Sequence, residues 1–159
     1  MERIVAFLLS IGIEVTEASV PNSFLPGLLL ERGGLLVDRD RLTWPGDLLH
    51  EGAHVAVAPP ESRHLLGGAL DVPGLDMTEL EHMAIPWSYA AALAIGIDPS
   101  DVFHSGGYRG RSEGLLRTFG FGVYPGANLL EAAGMTATGA RAEALGVPPF
   151  PHMLRWMRE

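Results

Sequence analysis

One residue in five is glycine or proline: the chain holds 20 glycines and 12 prolines in 159 residues, against a usual share of about 12%. Glycine loses the most backbone entropy on ordering, and proline lacks a donor and clashes inside helices. The sequence therefore predicts short elements joined by many turns. Apolar residues make up 47% of it and charged residues 19%. That supply of apolar side chains can build a core and excludes wholesale disorder. No repeat and no low-complexity linker divides the chain, so a single domain over residues 1–159 is expected.

Cysteine is absent, which excludes disulfides, thiolate metal sites and a cysteine nucleophile. The formal net charge is −8, and all eleven basic residues are arginine. A field of that sign repels phosphate backbones, so nucleic acid is not an expected partner. Val5 to Ile13 follows Arg3 like the apolar part of a signal peptide, but Glu14 and Glu17 stand where a small-residue cleavage site belongs. His82 to Ile97 is uncharged but only 16 residues long, too short to span a bilayer. The expectation is a soluble cytoplasmic protein with no membrane partner, a monomer or a homodimer.

Apolar periodicity predicts a helix over 2–11, ended by Gly12, then a short strand from Ile13 to Thr16. Leu28-Leu29-Leu30 and Leu35-Leu36-Val37 flank Glu31-Arg32-Gly33-Gly34 and read as a hairpin. Asp47 is the expected N-cap of a helix from Leu48 to about Ala58, stopped by Pro59-Pro60. A second long helix is predicted from Thr78 to Ile95, kinked or restarted at Pro86 and ended by Gly96. Trp87, Tyr89 and the alanines at 90–92 read as its core face. Short helices follow near Ser112–Phe119 and Asn128–Ala133, and a last one from Pro151 to Arg158. In that terminal segment Met153, Leu154, Trp156 and Met157 are expected to dock on the body or on a second subunit.

The chemistry concentrates in His50-Glu51-Gly52-Ala53-His54, which fits H-E-x-x-H. With six histidines and twelve glutamates in 159 positions, random order gives about 0.02 such matches. Four residues advance a helix slightly more than one turn, so both imidazoles project from one face and can grip one divalent ion. Glu51 borders that face and can reach a water on the ion as general base. The bland alternative is a solvated amphipathic helix. Zinc is the favoured ion, since two imidazoles and a carboxylate suit it.

A third ligand is required. Glu81 is favoured because it shares a helical face with Ile85 and Ser88, while Glu79 lies nearer the exposed helix start. His64, His82 and His104 are further candidates. Glu81 has a competing structural duty, because Thr78-x-x-Glu81 also fits a capping box.

Arg32-Gly33-Gly34-Leu35-Leu36-Val37-Asp38, then Leu48-Leu49-His50-Glu51-Gly52-Ala53-His54, then Glu81-His82-Met83-Ala84 before an Ala-rich helix, resemble the small gluzincin-type metallopeptidases, of which the ImmA/IrrE group is nearest. The resemblance spans about residues 12–95. It implies an α+β, zincin-like fold, with a small sheet, an H-E-x-x-H helix and a following glutamate-bearing helix. It also implies a zinc metallopeptidase acting on a polypeptide or small amide substrate. The chain departs from that pattern by placing Gly52 before Ala53, where such motifs commonly put glycine next to the second histidine.

Beyond this zinc core lies a Gly-rich extension, residues 98–159. His104 and Tyr108 sit there among glycines and are the candidates to donate a hydrogen bond to a reaction oxyanion. Arg63 and His64 are expected to bind a substrate carboxylate or to pair with Asp71 or Asp76. Two functions stand at this point: a zinc hydrolase, and a zinc-holding module that binds without cleaving.

Overall fold

The computed structural model describes residues 1–67 and 72–159. It opens with helix α1 (Glu2–Ser10), whose Ile4 and Leu8 are buried. A three-stranded sheet follows, built from β1 (Val15–Glu17), β2 (Leu28–Glu31) and β3 (Gly34–Val37) in the order β1-β3-β2. The hairpin pairs Leu28 with Val37 and Leu30 with Leu35. Its two-residue turn, Arg32 (φ 51) and Gly33 (φ 77), has both residues left-handed. That is the type I′ geometry whose twist matches the flanking strands. β1 lies parallel to β3, pairing Val15 with Leu35. Leu35 and Val37 alternate inward from β3, as one-sided burial requires.

The layer that faces this sheet is α2 (Asp47–Val57), packed along α3 (Met77–Ala94). Leu48, Leu49, Ala53 and Ala56 of α2 and Ala84, Trp87, Ala91 and Ala92 of α3 are essentially solvent-free. Small residues on both helices let their backbones approach. α3 runs unbroken through Pro86. The chain then forms α4 (Pro99–Val102), α5 (Ser112–Gly120), α6 (Ala127–Ala132) and α7 (Gly139–Leu145). α4 and α6 pack on α3, and Phe103, Phe119, Leu130 and Phe150 enter the same buried cluster as Leu8 and Trp87.

The architecture is thus α+β, with the H-E-x-x-H segment on a helix beside a small sheet. Several local expectations are corrected. α2 begins one residue early, with Gly46 at the cap position and no side-chain cap bond. Asp47 is its first residue, and its carboxylate points elsewhere. Asp76 caps α3 instead of a Thr78–Glu81 box: its Oδ1 accepts from the backbone N–H of Thr78 (2.9 Å) and of Glu79 (3.1 Å). Residues 151–158 form no helix; α4 and α7 are short helices the periodicity did not reveal.

The terminal segment instead runs through turns and bends over α1, α2 and α3. Trp156 stacks edge-on against Phe7 and Trp87, and the Trp87 indole N–H donates to the Trp156 carbonyl at 2.9 Å. Among the described residues Arg63 pairs with no carboxylate. Its guanidinium donates to the carbonyls of Val55 and Arg158, and Asp76 is occupied by the α3 amides. The alternative partner, Asp71, lies outside the described residues. No helix among the described residues is long and apolar enough to cross a membrane.

Candidate metal centre

His50 and His54 stand one turn apart on α2, with their Nε2 atoms 3.3 Å from each other. The rings are edge to face, at 82°. Glu81 comes from the second turn of α3, and its Oε2 lies 3.4 Å from His50 Nε2 and 3.2 Å from His54 Nε2. Three potential ligand atoms therefore converge from two helices. Glu51 adds a second carboxylate: His50, Glu51 and His54 each offer an atom within 4.8 Å of the others, a group that could hold a metal ion. Of the two carboxylates, Glu81 makes the closer approach to both imidazoles.

Two causes bring Glu81 there. The Asp76 cap satisfies the first amides of α3 and frees Glu81 from that duty. Close packing of α3 on α2 then carries its side chain to the imidazole pair. Glu79, two residues earlier, is exposed in the first turn of α3. His64 and His82 are exposed as well.

The electrostatics favour positive charge. Burial would push His50 down, but the hydrogen bond and charge of Glu81, with the charges of Glu51 and Asp47, push its pKa above the ordinary imidazole value. Burial would likewise push Glu81 up, yet its bonds to both imidazoles hold its carboxyl well below the usual range. His54 Nδ1 is buried without a hydrogen-bond partner among the described residues. An orphaned buried polar atom costs about 1–3 kcal/mol, and in native structures it calls for a functional account.

The chain matches no known family model, no curated protein and no solved structure. What identifies the centre is therefore its own geometry and donor chemistry. Two imidazole nitrogens and one carboxylate oxygen, all within 3.4 Å of each other, are a donor set suited to a borderline cation such as zinc.

His104 and Tyr108 also approach α2, but neither offers a free donor in front of these three atoms. His104 is buried, and its Nε2 lies 2.8 Å from Asp47 Oδ1. Its Nδ1 accepts the Gly106 backbone N–H at 3.2 Å, which leaves the proton on Nε2 to be donated to Asp47. Trp44 stacks on the ring with centroids 4.3 Å apart. Tyr108 Oη lies 3.2 Å from His50 Nδ1, the nitrogen turned away from Glu81. Burial, with the charges of Glu81, Asp47 and Glu51, raises the Tyr108 pKa and keeps the phenol protonated.

Asp47 and Trp44 escaped the sequence reading. In the sequence Asp47 reads as a cap, although its place three residues before His50 sets it on the imidazole face. For Trp44 no local signal existed, since its partner is sixty residues away in sequence.

Proposed function

We propose that this chain is a zinc-dependent hydrolase of zincin type, a metallopeptidase related to the ImmA/IrrE group. The observation that carries the reading is the triangle His50 Nε2, His54 Nε2 and Glu81 Oε2, with edges of 3.2, 3.3 and 3.4 Å. Ligand atoms of a tetrahedral ion held at about 2.0–2.1 Å stand about 3.3–3.4 Å apart. The three side chains thus match one face of a coordination tetrahedron, and its fourth corner is left for water or substrate.

A zinc ion there supplies Lewis acidity, polarising a substrate carbonyl and acidifying water. The residues of the chain do the rest. His50, His54 and Glu81 hold the ion. Glu51, next to His50 but offset around the helix, takes the proton from the attacking water and returns it to the leaving amine. Glu81 is partly exposed, which gives a polypeptide or small amide access.

The test combines metal analysis with one substitution. The expected result is stoichiometric zinc and an unfolding midpoint that rises with zinc by mass action, about 2.7 kcal/mol at a hundred times Kd. Glu51→Gln keeps the zinc and loses zinc-dependent peptide hydrolysis. Intact hydrolysis in that variant overturns the mechanism, and wild-type protein that takes up no zinc overturns the metal reading.

A second reading is a zinc-holding module that binds a partner without cleaving it. It is favoured by the commitment of the His104 donor to Asp47 and by the place of the Tyr108 hydroxyl on the Nδ1 side of His50, away from the three ligand atoms, which leaves neither in position to stabilise an oxyanion. Tight zinc with no turnover across a peptide panel selects it.

A further inference from the structure

Tyr108 lies in a stretch that is costly to build. Tyr108 and Arg109 both adopt φ 53, left-handed conformations that non-glycine residues avoid. Such strain persists only where surrounding contacts impose it. Here those contacts run to the face of α2 that carries His50. His104 reaches Asp47 at 2.8 Å, and Tyr108 Oη reaches His50 Nδ1 at 3.2 Å. Asp47 and His50 are three residues apart on one helix, so the two contacts staple the loop along a single face. Ser112 Oγ secures the loop from its other end, donating to the His104 carbonyl at 2.6 Å. Phe103 packs on the Tyr108 ring, with centroids 5.0 Å apart.

We propose that Tyr108 is a positioning residue of the metal centre, its hydroxyl holding the His50 imidazole by Nδ1 so that Nε2 faces the point shared with His54 and Glu81. The inference rests on the metal reading above and assigns Tyr108 a role other than oxyanion donor. An imidazole that binds a cation through Nε2 carries its proton on Nδ1, and that N–H needs an acceptor. A phenol oxygen has the lone pair to accept it. The strained turn is what places that oxygen within reach.

Tyr108→Phe tests this, since it keeps the ring and removes only the hydroxyl. Zinc affinity, read by competition with a chelator, falls about 10–100-fold, while the unfolding midpoint of the zinc-free protein barely moves. In nitrogen-15 spectra of the zinc-loaded wild type, the His50 Nδ1 proton is present and slow to exchange; in the variant it exchanges fast. Equal zinc affinity and an unchanged Nδ1 signal in the two proteins overturn the proposal alone. Zinc-loaded wild type with no proton on His50 Nδ1 overturns it without any variant. Wild type that binds no zinc overturns the metal reading and this proposal together.

Discussion

The side chain missing at position 52 leaves room for Leu8. A Cβ on Gly52 would stand 2.6 Å from Leu8 Cδ2, and Leu8 is fully buried. Glycine inside a helix costs about 0.5–1 kcal/mol relative to alanine, so this glycine is kept for the approach of α1 to the imidazole helix. Gly52→Ala gains helix propensity but overpacks the contact, which costs about 1–3 kcal/mol. The expected net loss is about 1 kcal/mol by urea unfolding. In a Leu8→Ala background the same substitution becomes stabilising by about 0.5–1 kcal/mol. A double-mutant cycle measures that change of sign, and additive effects would show that the contact is not what excludes a side chain.

Among the elements, α3 depends on Asp76 for its start. Asp76→Ala leaves two amides without their acceptor and costs about 1 kcal/mol, read as a lower thermal midpoint. A second joint links α6 to α7, where the Glu131 carboxylate accepts the backbone N–H and hydroxyl of Thr138, the residue that precedes α7. These bonds hold Glu131 below its ordinary pKa. A carboxyl depressed in the folded state stabilises fully above its unfolded pKa and loses that contribution as pH falls through its folded value. Protection of the Thr138 amide against hydrogen exchange, corrected for intrinsic rates, therefore declines below about pH 4. In Glu131→Gln that acid-dependent decline is absent.

At the scale of the whole molecule, the last residues secure the helix that carries the imidazoles. The end of α2 exposes carbonyls that no further turn can satisfy. Ala58 N–H takes that of His54, Arg63 takes that of Val55, and the Arg158 backbone N–H takes that of Ala56 at 2.8 Å. The Trp156 ring locks this segment against Phe7 and Trp87. Trp156→Ala removes a half-buried aromatic surface and is expected to cost about 2 kcal/mol, below the range for a fully buried one. Zinc affinity should weaken with it, since α2 loses part of its C-terminal support. A midpoint unchanged in thermal unfolding would show that the tail only rests on the surface.

The features set by local rules were legible along the chain. Apolar spacing placed α1, α2 and α3, two apolar runs around Gly33-Gly34 placed the hairpin, although its turn falls one residue earlier at Arg32-Gly33, and the four-residue interval put His50 and His54 on one helix face. Each depends on residues within a turn or two of each other. The ends of elements were less legible: Gly46 holds the cap position expected of Asp47, and Asp76 caps α3 where Thr78-x-x-Glu81 also fits a capping box, because a cap is chosen by where neighbouring elements leave room. The interval after His54 allows both Glu79 and Glu81, the helical face favours Glu81, and packing of α3 on α2 brings Glu81 to the imidazoles. The pairing of Asp47 with His104, the placement of Tyr108 behind His50 and the docking of residues 151–158 as a strap all join residues some sixty to a hundred and fifty positions apart. Local patterns carry no information about such partners, which meet only when the buried faces of the helices close on one another.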